Sequence, residues 1–258
     1  MTALAATGLT VTATDGSSLL DDVSFSVDTG ETAVVCGPPG SGKTLLLKAL
    51  KGLLEGNPGL TVEGEVTDGV DVGYVFQTPR TQLVRKTVRR DVAFGLENRG
   101  VEPAEIGGRI ATHADLLEAE HLLDRDVNEL SGGEVAKAAL LGILVTDPDV
   151  IVLDEPLAPL DYANTQLVLE ALDRLRKAGR AVVIAEHDLR DLLVRAHHVT
   201  LLDSGSVIAS GPPRTVLRDL IDAGVRVPVH LEVELGLAEP GTEGRLPLGP
   251  TGLEVDGQ

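Results

Sequence analysis

An octapeptide near the start of the chain has residue types that bind phosphate. Residues 37–44 fit the G-x-x-x-x-G-K-[ST] pattern, in which glycines let backbone N–H groups surround phosphate oxygens, lysine reaches the outer phosphates and the hydroxyl meets Mg²⁺. The apolar run 33–36 predicts a buried strand before it and 45–50 a helix after it, the setting that this motif requires rather than an ordinary loop. The sequence therefore predicts a nucleoside triphosphate as the ligand. The predicted binding residues are Gly37, Pro38, Pro39, Gly40, Ser41, Gly42, Lys43 and Thr44.

A second candidate site lies at the start of a predicted helix. Ser131 has the residue type of an N-cap, Gly132 and Gly133 leave backbone N–H groups uncovered, and the apolar run 135–144 has helical length. Because the first N–H groups of a helix and its dipole favour negative charge, this start predicts a second anion site. A capped surface helix without a ligand is the alternative that these residues alone leave open.

Two adjacent carboxylates follow a third apolar run. Residues 150–153 predict a strand of a parallel sheet that is covered on both faces, and Asp154 and Glu155 come at its carboxyl end, before Pro156. Acids at this end of such a strand point into the ligand crevice. We expect Asp154 to hold Mg²⁺ through water and Glu155 to activate the attacking water, since phosphoryl transfer needs mainly positioning and charge stabilisation. A turn signal is the alternative, and the phosphate-binding loop argues against it.

The three motifs, in this order, resemble the nucleotide-binding subunit of ATP-binding cassette (ABC) transporters over residues from about 5 to 220. Gln77, Asp161 and His187 carry the resemblance further, each at the end of an apolar run or in the matching loop. The resemblance implies ATP and Mg²⁺ as ligands. It also implies that Gln77 contacts Mg²⁺ and the attacking water, that Asp161 belongs to a loop at the nucleotide, and that His187 stabilises the γ-phosphate.

The segments 77–83 and 87–98 look like the ATPase subunits of energy-coupling-factor transporters, which include cobalt, nickel and vitamin importers. This finer resemblance implies a groove for a transmembrane coupling subunit, a separate solute-binding membrane subunit, and a peripheral location at the cytoplasmic face of the cell membrane. It also implies a second ATPase subunit, either the same chain or a paralogue, arranged head to tail so that ATP on one subunit meets Ser131 of the other. A solvated helical insertion without a special partner is the alternative, and the transported solute stays open.

Two departures from the family pattern affect the predicted site. Glu134 stands where the family has glutamine, and it adds a carboxylate where a triphosphate is expected. This predicts weaker binding at one of the two nucleotide sites that the paired subunits form. Ala13 or a neighbour stands where an aromatic residue usually stacks on adenine, so we expect weak contacts to the base. A binding-only regulatory cassette is therefore an alternative, against which the presence of Glu155 and His187 argues.

The composition excludes some classes of protein. A net charge of −18 argues against a nucleic-acid partner, because binding a phosphate backbone requires basic surfaces. Apolar stretches such as 138–145 fall short of the roughly 20 residues that cross a bilayer, so no spanning segment is expected. A soluble ABC ATPase without a transport role stays an alternative, although the chain shows no second cassette or long coiled-coil insertion. The acidity and the excess of arginine over lysine resemble proteins of salt-loving archaea, or reflect only a well-solvated surface.

We expect an α/β fold, a P-loop NTPase cassette of the ABC type with a mainly parallel sheet core, an antiparallel β edge region and an inserted helical subdomain at about 78–146. This domain is predicted to span 1–230, and 231–258 is predicted to be an acidic, Gly/Pro-rich, loosely packed tail. A basic cluster in the predicted docking segment favours acidic partner loops or anionic lipid. The cluster comprises Arg80, Arg85, Lys86, Arg89 and Arg90.

Overall fold

The protein is described from a computed structural model, and the description covers residues 1–234. Its larger sheet has six strands in the order β5-β6-β7-β3-β8-β9, all parallel to their neighbours except β9, which pairs antiparallel with β8. These strands are β3 (Thr32–Cys36), β5 (Val72–Val75), β6 (Val150–Asp154), β7 (Ala181–Ala185), β8 (His198–Asp203) and β9 (Ser206–Gly211). The predicted parallel core is confirmed.

A smaller sheet has three antiparallel strands in the order β2-β1-β4. These strands are β1 (Thr2–Ala13), β2 (Ser18–Asp28) and β4 (Leu60–Val66). They account for the antiparallel β region that the sequence predicted, although most of it forms a sheet of its own rather than an edge of the parallel sheet.

The helices fall into two groups along the chain. Between β5 and β6 lie three α-helices and three 3₁₀ turns, in the range predicted as a helical insertion: Pro79–Gln82, α2 (Val88–Asn98), α3 (Pro103–Leu116), Glu120–Leu122, Val127–Glu129 and α4 (Gly132–Leu144). The remaining helices connect strands of the large sheet or follow it: α1 (Lys43–Leu50), α5 (Tyr162–Lys177), α6 (Pro213–Asp222) and α7 (Val229–Glu234). No helix within residues 1–234 is long and apolar enough to cross a membrane.

The parallel strands of the large sheet are largely buried on both faces. Along β3, Ala33 and Val35 face one core cluster, which contains α1 and the antiparallel sheet, whereas Val34 and Cys36 face the other, which contains α4 and α5. This alternation follows from the period of two in a strand. It explains why the parallel strands are mostly apolar, and it leaves their carboxyl ends as the place where polar side chains gather.

The predicted domain boundary at 230 falls inside α7, and Leu231 packs against the core that contains α4 and α5. Residues 235–258, which make up the rest of the predicted tail, lie outside the described residues.

Candidate active site

The phosphate-binding loop connects β3 to α1 and depends on glycine at close contacts. Gly37 has φ 145°, and a Cβ there would lie 2.0 Å from the carbonyl oxygen of Leu202. Gly42, the N-cap of α1, has φ 102°. The buried Lys43 donates hydrogen bonds from Nζ to the carbonyl oxygens of Gly37 (2.9 Å) and Pro38 (3.0 Å). The loop therefore curls around its own lysine, and it needs glycine at position 37 because the carbonyl oxygen of Leu202 leaves no room for a side chain.

Asp154 lies at the end of β6, beside the start of α1. The hydroxyl of Thr44 donates to its Oδ1 at 3.1 Å, and the hydroxyl of Tyr74 donates to its Oδ2 at 3.2 Å. Burial raises the pKa of Asp154, although both hydrogen bonds act in the opposite direction. The structure thus brings together Thr44 and Asp154, the two residues 110 positions apart that the sequence analysis assigned to Mg²⁺, and the magnesium site itself stays a prediction.

Tyr74 is a site residue that the sequence reasoning missed. It lies on β5 next to Val152 of β6, is 4 % exposed, and its ring is 4.8 Å from that of Phe76. A buried tyrosine hydroxyl needs a partner, and the only signal for it in the sequence was a polar aromatic residue within an otherwise apolar strand.

Three further predicted residues meet at the mouth of the loop. Gln77 donates from Nε2 to Oε2 of Glu155 at 2.8 Å, and Nδ1 of His187 lies 4.0 Å from Oε1 of Glu155. They border a cleft of ≈ 510 Å³, which lies within the usual range of about 300–1,000 Å³ for small-ligand sites. The cleft is lined by Leu19, Pro39, Gly40, Ser41, Gly42, Lys43, Thr44, Leu45, Lys48, Gln77, Glu155 and His187.

Glu186 is a second residue that the sequence reasoning missed. Its side chain is 4 % exposed, its Oε1 accepts the N–H of Leu157 at 3.1 Å, and its Oε2 lies 3.7 Å from Nδ1 of His187. Burial, as the main cause, raises its pKa from 4.5 to about 7. An acid directly after the apolar run of β7 was the available signal, since an unpaired carboxylate is rarely buried.

The start of α4 is a true capping box. Ser131 Oγ accepts the N–H of Glu134 at 3.4 Å, and Glu134 Oε2 accepts the N–H of Ser131 at 2.7 Å. The guanidinium of Arg125 donates to Oε1 of Glu134 at 3.0 Å. These contacts, first the backbone N–H of Ser131, lower the pKa of Glu134. The carboxylate of Glu134 therefore lies at the predicted anion site, where it contacts the N–H of Ser131 and the guanidinium of Arg125.

The residues at the start of α4, called the signature residues from here on, line a different cavity from the phosphate-binding loop. Ser131, Gly132 and Gly133 border a space of ≈ 500 Å³ together with Asp161, whose carboxylate caps α5 by accepting the N–H of Asn164 at 2.8 Å. The two cavities share no lining residue among those that the structure describes. One chain thus brings Gln77, Glu155 and His187 to the phosphate-binding loop but leaves Ser131 and Asp161 apart from it.

The predicted basic cluster is largely engaged in contacts within the chain. Arg80 donates to the carbonyl oxygens of Val127 and Leu130, both at 2.9 Å, and Arg89 pairs with Asp124 at 2.8 Å. The guanidinium carbon of Arg85 lies 4.0 Å from the centre of the Phe94 ring. Among the described residues, Arg89 alone of the five forms an ion pair, so the attraction of this cluster to acidic loops or anionic lipid stays a prediction.

Residues 20–158, more than half of the chain, match the sequence profile of the family described as ABC transporter. The chain belongs to this family. As an ABC cassette it is an ATPase, which confirms the predicted fold class and enzyme class.

Three known ABC proteins are similar to this chain over most of its length. It is 41% identical to a putative ABC transporter ATP-binding protein of Halobacterium salinarum, over 81% of this chain and 93% of that one. It is 37% identical to the energy-coupling factor transporter ATP-binding protein EcfA1 of Bacillus licheniformis, over 86% of this chain and 83% of that one. The solved structure of cbiO1 from Clostridium perfringens, part of the ABC transporter complex cbiONQ, matches with a TM-score of 0.74 at 27% identity, over 91% of this chain and 96% of that one.

Proposed function

We propose that this chain is the ATP-hydrolysing subunit of a membrane importer of the energy-coupling-factor type, which takes up a metal ion or a vitamin. The observation that supports ATP hydrolysis most directly is the convergence of Lys43, Gln77, Glu155 and His187 on one cleft. The importer subtype is supported by the similarity to EcfA1 and to cbiO1.

The residues of the cleft divide the chemistry among them. Lys43 and the N–H groups of the loop hold the phosphates of ATP. Thr44 and Gln77 are suited to bind Mg²⁺ directly and Asp154 through water, since oxygen ligands suit this ion, and bound Mg²⁺ neutralises charge on the phosphates. The 3.1 Å contact between Thr44 and Asp154, beside a cleft that the loop residues line, fits such a bound pair.

Glu155 is the proposed general base. It accepts a proton from water, the water oxygen bonds to the γ-phosphorus, and the bond from that phosphorus to the β–γ bridging oxygen breaks, so that ADP and phosphate leave. The imidazole of His187, close to Glu155 at the edge of the cleft, is suited to donate a hydrogen bond to the γ-phosphate.

A complete site in this proposal needs two subunits. Because Ser131 and Asp161 line a cavity separate from the phosphate-binding loop, they are suited to act on ATP held by a second ATPase subunit, either a copy of this chain or a paralogue. The helix start at Ser131 supplies backbone N–H groups and a favourable dipole for that nucleotide. ATP then holds the two subunits together, and hydrolysis releases them.

In the membrane, the proposed partners are a transmembrane coupling subunit and a solute-binding membrane subunit. The chain would bind them peripherally at the cytoplasmic face of the cell membrane. The helical insertion is the proposed contact, because the segments 77–83 and 87–98 carry the resemblance to transporters of this type.

The first experiment replaces the proposed base. Glu155→Gln should bind ATP as the parent does but lose hydrolysis by at least about 10²-fold, the usual contribution of a general base, and should form an ATP-dependent dimer in size-exclusion chromatography. Glu63→Gln, on the exposed strand β4, is the matched control and should hydrolyse ATP normally. Hydrolysis at the parental rate by Glu155→Gln would remove Glu155 as the base.

A second experiment tests the transport role. The tagged chain is purified from native membranes in high salt, and the proteins that copurify are identified by mass spectrometry while ATPase activity is recorded. Recovery of a small coupling membrane protein with a solute-binding membrane subunit supports the importer. Recovery of soluble partners alone, with ATPase activity intact, would instead support a soluble ABC ATPase.

A further inference from the structure

We propose that Arg80 is a positioning residue that holds the signature turn, residues 127–131, to the glutamine segment, residues 77–83. Through this link the position of Gln77 in one nucleotide site is coupled to the presentation of Ser131 to the nucleotide of the second subunit. The inference rests on the proposed function, because Ser131 acts there on a partner's ATP.

The link consists of two well-formed hydrogen bonds. Arg80 donates from Nη1 to the carbonyl oxygen of Val127 and from Nη2 to that of Leu130, each at 2.9 Å. Leu130 directly precedes Ser131, the N-cap of α4. A planar guanidinium can bridge two acceptors in a fixed geometry, whereas a lysine ammonium acts as a single mobile charge.

The other end of the link is anchored to the parallel sheet. Gln82, in the same 3₁₀ turn as Arg80, accepts the N–H of Phe76 through Oε1 and donates from Nε2 to the carbonyl oxygen of Tyr74, both at 2.9 Å. The 3₁₀ turn is therefore hydrogen-bonded both to the end of β5, which precedes Gln77, and to the signature turn. If the glutamine segment moves, these hydrogen bonds move Leu130 with it.

The signature turn has a second, independent support. Arg125 donates to the carbonyl oxygen of Glu129 at 3.0 Å and to the carboxylate of Glu134, also at 3.0 Å. Loss of Arg80 should therefore leave the turn and the capping box of Ser131 folded but less well placed relative to Gln77. This separates a positioning role from a purely structural one.

The test measures ATP-dependent dimerisation in the hydrolysis-deficient Glu155→Gln parent. We expect Arg80→Ala to weaken the dimer by about tenfold or more, because the helix start at Ser131 is then no longer held in place for the ATP of the second subunit. Binding of ADP to the single subunit and the thermal midpoint should stay close to the parent's values. Arg80→Lys should not restore the dimer. Arg89→Ala, which removes an exposed pair with Asp124 in the same insertion, is the matched control and should dimerise normally.

A double-mutant cycle identifies the residue through which Arg80 acts. If Arg80 positions Ser131, then Arg80→Ala should weaken the dimer little further in a protein that already carries Ser131→Ala. Additive effects, or an equal loss of ADP binding and thermal stability, would overturn the inference, as would a normal dimer in Arg80→Ala. A parent without any ATP-dependent dimer would overturn the proposed two-subunit function and this inference with it.

Discussion

The side-chain amide of Gln77 donates a hydrogen bond to Oε2 of Glu155 at 2.8 Å. The two residues follow neighbouring strands, β5 and β6, of the parallel sheet. The bond holds the carboxylate at the mouth of the phosphate-binding loop, although Glu155 itself has an unfavourable φ of 47°. Gln77 therefore orients the proposed base in addition to any contact that it makes with Mg²⁺.

We predict that Gln77→Ala lowers kcat for ATP hydrolysis by up to about 10²-fold, because a misplaced base loses most of its effect. ATP binding should change far less, since Lys43 and the loop N–H groups are untouched. Steady-state kinetics and equilibrium nucleotide binding on the same preparations separate the two. Thr81→Ala, on the exposed side of the adjacent turn, is the control, and an unchanged kcat in Gln77→Ala would contradict the prediction.

Tyr74→Phe should weaken the binding of the divalent cation. The substitution removes only the hydroxyl that donates to Asp154, and loss of such an outer hydrogen bond typically costs about 10- to 100-fold in metal affinity. Mn²⁺ binding to the ADP complex, measured by electron paramagnetic resonance, reports this without turnover. Tyr162→Phe, at a tyrosine that is 61% exposed, should leave Mn²⁺ affinity unchanged. Equal Mn²⁺ affinity in Tyr74→Phe and the parent would show that Tyr74 does not support the site.

Glu186→Gln should change the pH dependence of stability. The pKa of Glu186 rises from 4.5 to about 7 on folding, so the protonated acid stabilises the protein fully below pH 4.5, and this contribution is lost as the pH rises to 7. Glutamine keeps an acceptor for the N–H of Leu157 but has no charge to bury. The free energy of unfolding of Glu186→Gln should therefore rise relative to that of the parent between pH 4.5 and 7. The difference should grow on the order of 1.4 kcal/mol for each unit of pH.

Urea unfolding at a series of pH values measures this difference. Groups that titrate in both proteins cancel in the comparison. Glu170→Gln, at an exposed position of α5, should show no such trend. A difference between Glu186→Gln and the parent that stays constant across this range would contradict the prediction.

Replacing glycine by alanine should raise stability at one position and lower it at another. Gly142 lies within α4 with nothing within 4 Å of an added Cβ, so Gly142→Ala should stabilise the protein by about 0.4–1 kcal/mol. Gly37→Ala would bring Cβ to 2.0 Å from Leu202 O and should destabilise it by about 1–3 kcal/mol or more. Thermal unfolding of both variants checks this, and a stable Gly37→Ala would refute the close contact.

The sequence alone determined the features that depend on residues close together along the chain. The phosphate-binding loop, the N-cap at Ser131 and the acids that end β6 need only local backbone geometry and a strand or helix beside them, so residues 37–44, Asp154 and Glu155 could be identified directly. The helical insertion and the apolar strands of the parallel sheet followed from periodicity for the same reason.

Only the tertiary structure decided which distant side chains meet. Tyr74 reaches Asp154 across 80 positions because β5 and β6 are neighbours in the sheet, and Arg80 reaches Leu130 across 50 positions because the insertion folds back on the glutamine segment. The same folding pairs Glu134 with Arg125, a contact that the sequence did not predict. Hydrogen bonds form between atoms about 3 Å apart in space, and the number of residues between two positions in the sequence does not determine that distance.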